Sequence, residues 1–338
     1  MAKRYIYIKR EKSIENTDLF SDFKKLDNMD CIKIKKKPIK SFLLKFLRKI
    51  HLSQKISKFV QLPMKSIWYD TSEMKIDDYN EYIIFMLPNV FLDYDISILK
   101  KYKKLKNLKF VLILLDTVGV DTPVGRIVSD IYQDKMWNYI FSYDLNDVKK
   151  YGFEYLDECY YSNRNIDKSN KILTDAYFIG ALKPGRTQEI ISVCKECNKN
   201  NILSKFDVVK QEGISVHEHI TGLNVLNKRK KYTDILKDVA NTNCIIEILQ
   251  KGQNSQTLRY FEAVYFNKKL LTTNENVKKL SFYDERYMKV FRDANDIDFN
   301  WIKRRENINY NYNNEFSPIH IIEKVEELEK NERKVDKS

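Results

Sequence analysis

Two strand-to-helix loops carry residues whose types suit a phosphate. The first lies in QKGQNSQTLRYFEAVYFNKKLLTTN, residues 250–274, where a short polar loop opens a helix bearing Arg259 and Glu262. Asn254, Ser255, Gln256 and Thr257 set amide and hydroxyl donors at the helix start, where free backbone N–H groups and the helix dipole favour an anion. Arg259 and Glu262, three residues apart, lie on neighbouring helix faces. One can neutralise phosphate while the other accepts hydrogen bonds from a ribose. The bland alternative is a capped helix with a surface ion pair. The second loop lies in DAYFIGALKPGRTQE, residues 175–189, with Gly180, Lys183, Gly185 and Arg186 between a strand and a helix. Glycines let a phosphate approach the backbone, and Lys183 and Arg186 can neutralise it. Neither loop is a Walker A or G-x-G-x-x-G sequence, so the usual nucleotide-triphosphatase and dinucleotide fingerprints are absent.

The elements that position these loops follow from apolar patterning. In the first half YIYIK, EYIIFMLP, FVLILL and WNYIFSY read as buried strands. ISILKKYKKL and DLNDVKKYGF read as helices between them, the second capped by Asp144, and CYYS as a final short strand. The polar run NRNIDKSNK, residues 163–171, marks a boundary. Beyond it DAYFIGAL, FDVVK, CIIEILQ and KKLLTTN read as strands, with TQEIISVCKECNKN, YTDILKDVANT and TLRYFEAVYFN as helices. Strand–helix alternation in both halves predicts two α/β domains, residues 1–170 and 171–316. A ligand is expected in the cleft between them at the carboxyl ends of the strands. A closing helix and tail occupy 317–338, with Ser317 as N-cap, Pro318 at the first position, and Ile321, Val325 and Leu328 on one face.

A length of 338 residues suits two cores, and 43% apolar with 13% aromatic residues is too much to leave solvated. A net charge of +13, from 60 basic and 47 acidic side chains, favours phosphate-bearing ligands, nucleic acid or anionic membrane. The 5 cysteines are odd in number and scattered, against a disulfide framework and for a reducing compartment. Cys194 and Cys197 fall inside a helix with no second pair at zinc spacing, so they read as ordinary helix residues. No secretory h-region or membrane-spanning run is visible, and the expected location is cytoplasmic.

The C-terminal half resembles the GT-B glycosyltransferases of bacterial capsule, O-antigen and lipopolysaccharide core assembly. The matching pieces are FIGALKPGR, YTDILKDVANTNCIIEILQKGQ, and TLRYFEAVYFNKKLLTTN followed by FYDERYMKV, with FSYDLNDVKKYGFEYLDECYYS before them. The resemblance spans roughly residues 80 to 290 and is strongest from 230 to 283. It implies two Rossmann-like domains facing a cleft, an acceptor in the first and a nucleotide-sugar donor in the second. No cofactor and no metal is implied. Glu262 matches the glutamate that contacts the ribose in that family, and Arg186 and Lys183 match its phosphate-neutralising pair. Many relatives carry a glycine-containing loop where this chain reads GQNSQT. Donor sugar and nucleotide do not carry over.

An inverting enzyme needs a base near the acceptor hydroxyl. Asp116, directly after FVLILL, is placed for that, with Asp93 and Asp95 as rivals, and each also suits a cap or loop. A retaining enzyme needs no such base. His217 and His219 lack a completing ligand for a metal and can instead meet sugar or phosphate. From Cys31 to Val60 there are ten Lys or Arg and no acidic residue. Ile39, Leu43, Phe46, Leu47 and Ile50 form an apolar stripe beside Lys40, Lys45, Arg48 and Lys49. Two readings stand for it: an interfacial helix on the inner face of the plasma membrane, or a helix packed on the first domain.

The function these readings favour is sugar transfer from a nucleotide-sugar to a surface-polysaccharide or lipid-linked glycan acceptor. The alternatives are a basic nucleic-acid-binding protein and a catalytically silent sugar-binding relative. No RRM, KH, zinc-finger or helix-turn-helix signature supports the former, and a nucleic-acid partner is not expected.

Overall fold

The computed structural model describes residues 2–9, 19–53, 56, 60, 62, 64–92, 96–100, 102–119, 123–159, 161, 171–211, 213–214, 216, 218–250 and 256–335. Two compact units emerge: Met1–Asn163 together with Glu315–Ser338, and Arg164–Asn314.

The first unit contains β1 (Ala2–Lys9), β2 (Met29–Lys33), β3 (Lys35–Lys36), α1 (Phe42–His51), β4 (Tyr69–Asp70), β5 (Asn80–Met86) and α2 (Ser97–Lys100). It continues with β6 (Leu108–Leu114), α3 (Pro123–Ile131), β7 (Tyr139–Ser142), α4 (Leu145–Tyr151) and β8 (Glu154–Tyr155). Six strands form a sheet in the order β2-β1-β5-β6-β7-β8, every neighbouring pair parallel. Central parallel strands are covered on both faces, so they read as continuous apolar runs. Ile83 to Met86 and Phe110 to Leu114 are accordingly buried throughout. Asp144 caps α4 by accepting from Asn146 N at 2.8 Å, and Gly152 ends it in the left-handed region at φ 71°.

Two expected elements differ. The helix expected over Ile96–Leu105 is cut to the single turn of α2, followed by turns in which Tyr102 N donates to Leu99 O and Leu105 N to Tyr102 O. Lys100, Lys101, Lys103 and Lys104 crowd like charges onto one short stretch, which opposes helix. Cys159 and Tyr161, expected in a strand, lie outside one, and the last strand is β8 instead. The Tyr161 N–H donates to Phe316 O at 2.8 Å, so this backbone pairs with the returning chain.

The second unit runs β9 (Thr174–Ala181), α5 (Thr187–Lys199), β10 (Ser204–Val209), β11 (Leu223–Leu226), α6 (Tyr232–Ala240), β12 (Thr242–Glu247), α7 (Leu258–Phe266), β13 (Lys269–Thr272), β14 (Met288–Val290) and α8 (Phe299–Lys303). Its sheet order is β11-β10-β9-β12-β13-β14, again all parallel. Counted along the unit this is 3-2-1-4-5-6, the order of doubly wound nucleotide-binding sheets, and its direction reverses between β9 and β12. The architecture is thus α/β, with two Rossmann-like parallel-sheet units. Ile190, Val193, Cys194 and Cys197 form the buried face of α5. Burial raises both thiols, Cys194 to about 11 and Cys197 to about 12.

The last helix, α9 (Ile319–Val335), returns to the first unit. The Ser317 hydroxyl donates to the buried Asp22 carboxylate at 2.8 Å and accepts from Ile319 N. Ile321 and Val325 are buried, Tyr5 donates its hydroxyl to Glu326, and Glu329 pairs with Lys3 at 2.5 Å and Lys109 at 3.1 Å.

Candidate functional site

The crevice at a switch point is opened by the two strands that diverge there. In the second unit these are β9 and β12, and both loops singled out by residue type leave from their carboxyl ends. A pocket of about 250 Å³ lies here, lined by Arg186, Glu247, Ile248, Thr257, Leu258 and Arg259 among others.

Arg186 is one of its lining residues. Its guanidinium donates to Ala181 O, at the end of β9, at 2.5 Å, and to Ile248 O, just past β12, at 3.1 Å. It therefore ties together the two strand ends that part at the switch point. Its Nε is buried without a hydrogen-bond partner. Among the described residues no carboxylate lies within ion-pair distance of it. Burial lowers the Arg186 pKa, with Glu189 acting weakly the other way. A half-buried cation without a counter-ion costs desolvation that an incoming anion repays.

Gly180 serves this arrangement. A Cβ there would sit 3.0 Å from both Arg186 Nη2 and the Phe178 ring, so the space beside β9 is occupied by the guanidinium. The expectation that Gly180 opens the backbone to phosphate is corrected: the missing side chain makes room for the Arg186 guanidinium. Gly185 takes φ 77°, the left-handed conformation that lets the loop turn into α5. No side chain caps that helix start. Lys183 Nζ donates to Gln250 Oε1 at 2.8 Å, linking the loop after β9 to the one after β12.

Thr257 is the N-cap of α7, accepting from Arg259 N at 3.1 Å, and its hydroxyl donates to Glu247. Glu247, buried at the end of β12, also accepts from Thr272. Burial raises its pKa, while both hydroxyls and nearby Arg259 pull it down. Gln256 Nε2 is buried without a hydrogen-bond partner. Asn254 and Ser255 lie outside the described residues.

The structure corrects the part expected of Glu262. Its side chain is fully buried, with Oε1 accepting from Tyr232 at 2.8 Å and Oε2 only 2.6 Å from Arg259 Nη1. Both oxygens are engaged within the protein, and Glu262 is not among the residues that line the pocket. It orients Arg259, which lines the pocket. Glu247, Gln250 and Tyr232 are the residues that type and spacing missed. Glu247 left one signal, as the charged residue that follows the apolar run Cys244–Ile246 in β12.

In the first unit Asp116 is half-buried two residues beyond the end of β6. The loop that carries it is held by two carboxylates: Thr117 donates its hydroxyl to Asp144, and Val118 its N–H to Asp147, both at 2.8 Å. Asp93, Asp95 and His217 lie outside the described residues. His219 is exposed.

Fold and site together define a two-unit α/β protein with a cationic crevice at the switch point of its second sheet. Neither a family model nor a curated protein matches the sequence. Among solved structures the chain is similar to the glycosyltransferase SnogD from Streptomyces nogalater, at 9% identity over 80% of this chain and 82% of that one, with a TM-score of 0.39. It is similar to an alpha-glucosyltransferase in complex with UDP and a 13-mer DNA, at 13% identity over 83% and 82%, with a TM-score of 0.44. It is similar also to the DNA modifying enzyme beta-glucosyltransferase, at 12% identity over 88% and 87%, with a TM-score of 0.41. At these values the likeness is one of fold alone.

Proposed function

We propose that the protein is a glycosyltransferase whose second unit holds the diphosphate of a nucleotide-sugar donor. The observation that carries this reading is Arg186, a half-buried guanidinium bridging β9 and β12 with no carboxylate partner among the described residues. A diphosphate placed against it also faces the starts of α5 and α7, where helix dipoles favour negative charge. The likeness of the loop sequences to the GT-B glycosyltransferases supplies the reaction class.

In transfer, an acceptor hydroxyl oxygen bonds to the anomeric carbon as the bond from that carbon to the diphosphate breaks. The leaving nucleoside diphosphate takes the electron pair. Arg186, and Arg259 oriented by Glu262, meet the charge that develops on it, a task that needs no metal ion if these cations suffice. In an inverting enzyme the hydroxyl proton goes to a base, for which Asp116 is the first choice and Asp93 and Asp95 the others. The acceptor class we favour is a surface-polysaccharide or lipid-linked glycan.

The test is turnover. With a panel of nucleotide-sugars and glycan acceptors, nucleoside diphosphate should be released in step with acceptor, in the presence of a chelator. Donor binding with no release under any pairing would leave a silent sugar-binding protein and refute the enzyme.

A further inference from the structure

The basic, apolar segment after β3 is not used by the site described above. None of the ten residues of α1 is buried. Phe42 is 85% exposed and Leu43 64%, and Leu44, Phe46 and Leu47 are exposed as well. An amphipathic helix of a folded domain turns its apolar stripe to the core, because apolar surface left in water forgoes the gain of burial. Here Leu43, Phe46 and Leu47 of the stripe face out with Phe42 and Leu44 beside them, while Ile39 and Ile50 are half-buried.

Local bonds hold it so. Ser41 caps the helix by accepting from Leu44 N at 3.5 Å, and Arg48 donates to Lys37 O at 2.7 Å. At the far end the Trp68 indole donates to His51 Nδ1 at 2.7 Å. Lys37 and Trp68 adjoin the antiparallel pair β3–β4, so α1 is fastened to that pair. Met64 and Ile67, in the turn before β4, are exposed apolar side chains too.

Charge selects the occupant. Lys40, Lys45 and Lys49 are exposed, and the stretch from Cys31 to Val60 has ten basic residues and no acidic one. A second copy laid on this face would bring like charges together. A nucleic-acid backbone would satisfy the lysines and leave the phenylalanines and leucines in water. A bilayer with anionic headgroups satisfies both, taking apolar side chains at the acyl boundary and lysines at the headgroups.

We propose that α1 is an interfacial anchor that docks the protein on an anionic lipid surface. This inference does not depend on the donor site, and a soluble nucleotide should bind equally well with α1 altered. The experiment is sedimentation of the full chain with vesicles of phosphatidylglycerol and phosphatidylcholine, against phosphatidylcholine alone. Wild type should pellet with the mixed vesicles and far less with the neutral ones, and rising salt should weaken it, since screening shortens the reach of exposed charges. The triple variant Lys40→Gln, Lys45→Gln, Lys49→Gln should partition roughly a hundredfold less. Arg48 is left in place because it fastens the helix. Phe42→Ser with Phe46→Ser should also release the protein, at low salt as well as high. Unchanged melting temperatures confirm that both variants fold. Equal pelleting of wild type and both variants overturns the proposal. So does wild type that pellets with neither vesicle, or that forms dimers which the Phe42→Ser, Phe46→Ser variant abolishes.

Discussion

Arg186 and Glu262 have similar prominence in the sequence, as charged residues in or beside polar loops, and the structure separates them by burial. Arg186 reaches two strand-end carbonyls and, among the described residues, has no carboxylate within ion-pair distance. Glu262 points into the core, where Tyr232, thirty residues earlier, closes over it. Residue type and spacing show which helix face a side chain occupies but not what a distant element lays across that face. The same limit hid Glu247, whose hydroxyl partners come from α7 and β13. Glu262→Ala should therefore act first on stability. It removes one charged partner from a nearly buried Arg259, and breaking a buried pair costs about 3–5 kcal/mol. Melting temperature and nucleotide affinity should both fall, and Glu262→Gln should restore part of each by keeping the Tyr232 bond. A Glu262→Ala protein that melts like wild type yet loses nucleotide would return Glu262 to direct ligand contact.

Among the elements, long apolar runs were legible because burial on both sheet faces leaves no alternative for them. β5, β6, β9 and β12 are such runs. β11 and β14 were not legible, being short edge strands; Asn224 and Val225 of β11 are exposed. The helix that shrank to α2 shows apolar spacing losing to a lysine cluster. α9 was legible as a helix, while its docking partners were not. Its Glu329 gives an element-scale prediction. Burial alone would raise this carboxyl, but hydrogen bonds and charge from Lys3 and Lys109 outweigh burial and lower its pKa. A lowered folded pKa contributes stability above the unfolded value, about 4.3, that is lost as pH falls through the folded value. Glu329→Gln should thus lower the urea midpoint at neutral pH, and the gap to wild type should close on acidification below pH of about 4. A gap that stays constant with pH would mean that the pair contributes nothing through its charge.

At the scale of the whole molecule, alternation of strand and helix made two α/β halves legible. Their composition did not reveal that the chain crosses back, so that Glu315–Ser338 completes the first unit. The contact that fixes this, Ser317 to Asp22, spans 295 residues and leaves no local pattern. The net charge of +13 admitted several anionic partners, and the structure offers two places for them: an exposed lysine face on α1 and a half-buried arginine at the switch point of the second sheet. The second place carries the central claim, and calorimetric titration of nucleoside diphosphates and their sugars into wild type and Arg186→Ala tests it most directly. At least one nucleotide should bind wild type, and Arg186→Ala should weaken it by about tenfold or more, the loss of one charge-assisted contact. Binding should weaken in salt while the melting temperature of the variant confirms its fold. No heat from any nucleotide, or equal affinity in wild type and a folded Arg186→Ala protein, would contradict the account.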